Sequence, residues 1–219
     1  MNKVTAVLFA LLLCAPVAAF AQSQQILHVS GHSWETGGFP TSLPGDELDV
    51  LFILNAIEQP LVWDTANYGY TGYVRQLVSV GETVFGTTHI ASYTGGLFTI
   101  YVDWFPGSGG TAPTYGVNPP NATAPSTFVD GISTYLDGYF TDFTLTFNDA
   151  TTSGSFSGTL NFTGGDVFPL LSATEGWTFG ANIAGVSPTG YDLQVNGDVY
   201  LAIVSVDEQS WGGIKSLYR

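Results

Sequence analysis

Cysteine is almost missing from this chain of 219 residues: there is one, Cys14, inside an apolar run near the N-terminus. That run, Val4 to Phe20, follows Lys3 and closes on Ala19-Phe20-Ala21. A positive start, an apolar centre and an Ala-x-Ala end predict a secretory signal peptide over residues 1–21, leaving Gln22 first. Leu13 is too large for the small residue that a lipoprotein leader places before its modified cysteine. The mature chain would then hold no thiol, which excludes disulfides, Cys-ligated zinc or iron–sulfur sites and a cysteine nucleophile.

Basic residues are nearly as scarce. Four Lys and Arg stand against 18 Asp and Glu, a formal charge of −14. Loss of Lys3 leaves Arg75, Lys215 and Arg219, three against 18, and takes the charge to −15. Such a surface repels nucleic acid and anionic lipid, which are bound through neutralising cations. The acids are scattered, as solubility alone requires. Their densest run, Asp46, Glu47 and Asp49, lacks the spacing of an EF-hand and is expected to solvate a strand edge. No apolar run after Phe20 reaches the roughly 20 residues of a bilayer span, so no transmembrane segment is expected in the mature chain.

Reactive motifs are missing too. Gly154 to Gly158 reads GSFSG, with Phe156 where a hydrolase elbow needs its serine, and no glycine-rich phosphate loop is present. His28 and His32 stand four apart in HVSGH, without the glutamate of the HExxH zinc pattern and in an extended, glycine-flanked context. They read as ordinary residues of an N-terminal arm. His89, in FGTTHIASY, reads as a hydrogen-bonded structural histidine. Glu35, Glu58, Glu82 and Glu175 supply carboxyls, yet no pair is singled out. No catalytic residue, metal or cofactor is expected.

What the chain does have is alternation. Phe143, Leu145 and Phe147 alternate with Thr144 and Thr146; Phe156, Leu160 and Phe162 alternate with Ser157, Thr159 and Asn161. Period two means strands with one buried face, and the Asn, Asp, Thr, Ser and Gly of 148–154 between them predict an antiparallel hairpin. Tyr73–Val80, Thr83–Tyr93 and Leu97–Trp104 read as three more strands of a meander, turning at Gly81-Glu82 and Thr94-Gly95-Gly96. Residues 105–126, rich in Gly, Pro, Ala and Asn, read as a long surface loop within one domain over 22–205. Val167–Leu171 and Trp177–Phe179 are short apolar segments, 180–190 a loop, and Gln194–Val204 the last strand. Trp211, Ile214, Leu217 and Tyr218 recur at helical steps behind Ser210, predicting a short helix in a tail over 206–219. Short strands joined by turn chemistry predict an all-β fold: an antiparallel β-sandwich of jelly-roll kind, with an up-and-down barrel as the alternative.

The phrases NPPNATAPSTFVDG (118–131), FTDFTLTFNDATTSGSFSGTLNFTGG (140–165) and GWTF (176–179) resemble the bodies of a class of exported bacterial β-rich proteins of uncharacterised role, many of which carry a PEP-CTERM sorting tail. The resemblance implies an extracytoplasmic β protein and carries over no catalytic residue. The Pro-Glu-Pro signal and closing transmembrane helix of the sorted members do not occur here.

Two functions follow as expectations. One is a secreted or cell-surface, non-catalytic protein with a structural or adhesive role. The other is an extracellular module for a glycan or small apolar ligand, built on Trp63, Tyr68, Tyr70 and Tyr73, whose rings offer apolar area with a polar tip. A glycan or another cell-surface component is the partner either would meet.

Overall fold

A computed structural model describes residues 24–115 and 124–201. The expected signal peptide (1–21) and the tail helix (206–219) lie outside the described residues. Eight strands follow one another: β1 (Gln24–Glu35), β2 (Glu47–Ile57), β3 (Tyr68–Phe85), β4 (Thr88–Trp104), β5 (Ser133–Asn148), β6 (Ser153–Gly164), β7 (Trp177–Ala184) and β8 (Leu193–Leu201). Each pairs antiparallel with the next, and β1 also pairs with β8, from Gln24 opposite Leu201 to Ser33 opposite Leu193. The sheet closes on itself. The expected sandwich is therefore corrected to the up-and-down barrel: the β1–β8 ladder leaves no free edge along which two sheets could separate.

The hairpin over 139–165 is present as β5 and β6, turning at 149–152. The three-strand meander is instead two long strands. Gly81 does not turn the chain but sits at a bulge of β3, where the register against β4 slips between Ser79 and Gly81. Gly95 and Gly96 likewise lie inside β4 at positive φ, and the reversal comes at Gly86-Thr87. Bulges bend and twist long strands around a closed barrel, so glycines that resemble turns serve curvature here. Residues 168–170 form a 3-10 turn, and the loop expected over 180–190 begins only after β7 ends at Ala184.

Alternation decides what fills the barrel. Phe52, Phe98, Phe140, Phe143, Phe156 and Phe179 point inward and are almost fully buried. Their rings meet mostly edge-on or tilted: Phe98 lies 5.8 Å from Phe179 at 73° and 6.3 Å from Phe140 at 79°. The interior is thus a packed core, each ring contributing about 1.5–3 kcal/mol through burial. Around β5 to β8 the outward residues are polar: Thr144, Ser155, Ser157, Asn182 and Asn196 are all exposed. That is the reverse of a lipid-spanning barrel, which turns its apolar side chains outward.

On the outside of β1 to β3 the pattern changes. The unbroken run Val50–Leu54 sends Val50, Phe52 and Leu54 inward and Leu51 and Ile53 outward, and Leu51 is still fully buried. Residues 113–115 and 126–128 strap across this face. Phe128 is buried against it, the Thr71 hydroxyl donates to the Phe128 carbonyl at 2.8 Å, and Tyr115 sits 4.9 Å from Phe128. A strand covered on both faces needs no alternation.

Antiparallel order puts three long connections at one end of the barrel, over 58–67, 105–132 and 165–176. This end is its mouth. The base carries 36–46, 86–87, 149–152 and 185–192.

Candidate ligand cleft at the barrel mouth

At the mouth, β3 begins on Tyr68 directly opposite Trp104, the last residue of β4. Tyr68 and Tyr70 share a face because they are two apart on a strand. The connection over 58–67 brings Trp63 back onto Tyr70, with ring centroids 5.4 Å apart and planes within 10°. Tyr68 tilts against Trp104 at 5.2 Å. Tyr70 in turn meets Tyr135 of β5 edge-on at 5.2 Å, and the Tyr135 hydroxyl donates to the Val62 carbonyl at 2.6 Å. The rings form a row, Trp63 to Tyr70 to Tyr135, fixed at both ends.

A cleft of about 250 Å³ opens beside this row, walled by Trp63, Tyr68, Tyr70, Trp104 and Phe105, with Thr65, Thr111 and Thr127 among its polar groups. Trp104 and Phe105 are 44% and 46% exposed, unusual for rings of this size. Gly69 lies on the wall, and a Cβ added there would meet nothing within 4 Å, so the backbone itself faces the opening. Asp103 does not offer a free carboxylate: its oxygens accept the backbone N–H groups of Trp104 at 2.7 Å and Thr111 at 3.3 Å, holding the 105–111 loop as the far wall. Burial pushes the Tyr70 phenol above its ordinary value, so it stays protonated.

Three of the four rings expected to bind therefore converge, and one does not. Tyr73 is an odd number of residues from Tyr68 and Tyr70 and points outward, stacked 6.4 Å from Trp34 with the Arg75 guanidinium 5.8 Å from its centroid. Its separation from the other three rings follows from strand parity alone. Trp104 and Phe105, at the end of β4, are the wall residues that sequence reasoning missed. Their signal was a Trp-Phe-Pro step ending an alternating run.

The other singled-out residues lie elsewhere. His28 pairs with Asp198 and Gln25 on the outer face of β1 and β8. His32 lies under the strap, 4.7 Å from Tyr115 and 5.3 Å from Tyr191, and burial lowers its pKa. The two imidazoles thus belong to different clusters. His89 is held at the base by Glu82 at 2.8 Å and Asp149 at 3.0 Å, and those hydrogen bonds, Glu82 first, raise its pKa. It ties the β3–β4 hairpin to the β5–β6 turn, as a structural histidine does.

The acidic run is not a solvated edge. Asp46 caps its own turn by accepting the Leu43 N–H at 2.8 Å, whereas Asp49 is 9% exposed on the outer face opposite Trp34. Asp49 Oδ1 has no hydrogen-bond partner among the described residues, and burial, reinforced by the charge of Glu47, pushes its pKa up to about 7. Tyr73, Gln76 and Arg75 pull the other way without overcoming it. The physical reason is the covered outer face of β1 to β3: Asp49 stands opposite Trp34, whose ring stacks on Tyr73, and these neighbours shut out water.

A second buried carboxyl sits inside the base. Glu35 points inward from the end of β1, beside the Ser42 hydroxyl of the 36–46 loop, and accepts the Tyr93 hydroxyl at 3.1 Å. Ser42 Oγ lies 2.8 Å from Ser79 Oγ, and all four side chains are buried. Burial pushes Glu35 up to about 7, against the opposing hydrogen bonds of Ser42 and Tyr93. The network pins the loop into the barrel.

No family model matches the chain, and no curated protein or solved structure matches it either.

Proposed function

We propose that this protein is an extracytoplasmic ligand-binding barrel, whose mouth cleft takes a small molecule or glycan by stacking on Trp63, Tyr68, Tyr70 and Trp104. The observation that carries the reading is convergence: four rings from β3, β4 and the 58–67 connection meet at one opening, above a core already filled by phenylalanines. A ring needed only for packing would be buried, whereas Trp104 and Phe105 stay largely exposed at the rim. Rigid aromatic walls bind at low entropic cost, because the rings are already held in place by one another.

The test is ligand-dependent quenching of tryptophan fluorescence, with the neutral probe N-phenyl-1-naphthylamine and a panel of soluble saccharides. Saturable binding to the wild type is expected, with a loss of about tenfold or more in Trp63→Ala, roughly the 1.4 kcal/mol of one stacked ring. Gly69→Leu, which adds bulk on the cleft wall at a position where a Cβ meets nothing within 4 Å, should lose binding while keeping the wild-type melting temperature. Equal affinity in all three proteins would refute the cleft as the site.

The exported location rests on Lys3, the apolar run after it and the Ala19-Phe20-Ala21 step. N-terminal sequencing of the protein from an exporting host is expected to begin at Gln22; a chain retained in the cytoplasm with its leader intact refutes it. A structural or adhesive role is the second reading, and the Ser-, Thr- and Asn-rich outer face of β5 to β8 is the feature it would use.

A further inference from the structure

The mouth holds a second cleft, of about 310 Å³, and Tyr68 and Tyr70 wall both. On its side of these rings it presents Asp64, Asp166, Ser133 and Tyr135, with Val62 and Ile132 exposed at its lip. The first cleft is aromatic; the second joins a ring to carboxylates and a hydroxyl. Tyr70 is shared in the strict sense that Trp63 stacks on it at 5.4 Å from one side and Tyr135 meets it at 5.2 Å from the other.

Several polar tips of these rings are unengaged. Among the described residues, no protein group hydrogen-bonds the indole N–H groups of Trp63 and Trp104, the Tyr68 hydroxyl or the Asp166 carboxylate, and none of these is a buried orphan: they face the opening. Indole N–H and phenol O–H groups need partners once they are buried, and here they stand at an opening beside stacked faces that a ligand would cover. A purely apolar ligand would cover these donors and leave them unsatisfied at a cost of about 1–3 kcal/mol each. A molecule with an apolar face and hydroxyls around its edge satisfies both features. Charge narrows the class further, because Asp64, Asp103 and Asp166 surround the mouth of a chain with a strongly negative balance. Anionic ligands are repelled there, and neutral or amine-bearing ones are not.

Resting on the reading of the mouth as a binding site, we infer that its ligand is an oligosaccharide of at least two rings, neutral or amino-substituted and not a uronate, lying across Tyr68 and Tyr70. One sugar ring stacks in the aromatic cleft, and the next places its hydroxyl or amino groups toward Ser133 and Asp166, since both Asp64 oxygens already accept N–H groups of Asn67. The polar tips then select for hydroxyl-bearing ligands, and the paired clefts select for length.

The experiment is an array of neutral, amino-sugar and uronate oligosaccharides of one to six rings, followed by calorimetric titration of the hits on the wild type, Gly69→Leu and Asp166→Ala. Asp166 is exposed, so its substitution leaves the fold intact. The expected result is about a tenfold or greater gain in affinity from one ring to two or three. That gain should be lost in Asp166→Ala with the melting temperature unchanged, and uronates should not bind. Equal affinity for one ring and six, or preference for uronates, overturns the inference. If no saccharide binds while N-phenyl-1-naphthylamine binds and is displaced in Gly69→Leu, the cleft is a site for apolar molecules: the inference fails and the proposed function stands. If neither class binds, both fall.

Discussion

Between pH 5 and pH 8 the barrel should lose several kcal/mol of stability, and Glu35→Gln should recover about 2 kcal/mol of it at pH 8 while changing little at pH 5. The sign follows from burial. Glu35 titrates near 7 in the folded chain and near 4.5 in the unfolded one, and Asp49 near 7 against 3.8. Between those values the native state holds protons that the unfolded state has released, so unfolding becomes easier as pH rises. The stability these groups contribute is fully present below their unfolded pKa and is lost as pH climbs through about 7. His89, whose pKa is raised by Glu82 and Asp149, acts in the same direction, since its favourable charge is lost as pH passes its folded value. Glutamine mimics the protonated acid: it accepts from Tyr93 and donates to Ser42, and it carries no charge to desolvate. Asp49→Asn should behave likewise on the outer face. Denaturant unfolding of the three proteins at both pH values is the measurement, and a Glu35→Gln variant less stable than the wild type at pH 8 would show that the ionised carboxylate is the stabilising form.

Phe98→Ala is expected to cost about 3–5 kcal/mol and to lower Tm by roughly 10 °C. Phe98 has no exposed surface and meets Phe52, Phe140, Phe162 and Phe179 at 5.7–6.3 Å between centroids. Removing it opens a void that strands β2, β4, β5, β6 and β7 would all have to move to fill, and a closed ladder resists such movement. Gly72→Ala approaches the same core from the other direction. Its new Cβ would stand about 2.1 Å from a Phe52 ring carbon, so the ring must shift, at about 1–3 kcal/mol. Thermal unfolding reads both, and a Phe98→Ala barrel that melts within about 3 °C of the wild type would mean that the interior can collapse around the gap.

Much of this core could be read from the residues in order. The alternation of Phe143, Leu145 and Phe147 gave the inner face of β5, and that of Phe156, Leu160 and Phe162 gave β6, because period two is a local property. What alternation cannot reveal is which strand pairs with the first. The choice between sandwich and barrel rests on the pairing of Gln24 with Leu201, 177 positions away, and no short-range signal encodes it. Glycine was ambiguous for a related reason: Gly81 at positive φ suits a turn and a bulge equally, and only the partner strand decides. In the cleft, Trp63, Tyr68 and Tyr70 were legible as a cluster of rings. Tyr73 was separable by counting parity, and Trp104 became visible only once β4 was placed beside β3. Asp49 was misread because its burial is imposed by the packing of neighbours over a face that the local pattern cannot show to be covered.

Seven of the eight ladders join neighbours in sequence and can form as each hairpin appears, but the ladder of β1 with β8 must wait for the last strand to be made. Until then β1 exposes a row of unpaired backbone groups, and the phenylalanines of the interior have only a partial wall around them. Closure of the barrel therefore waits on β8. A chain interrupted before Leu193 lacks the closing ladder and keeps the outer edge of β1 open to pairing with another chain.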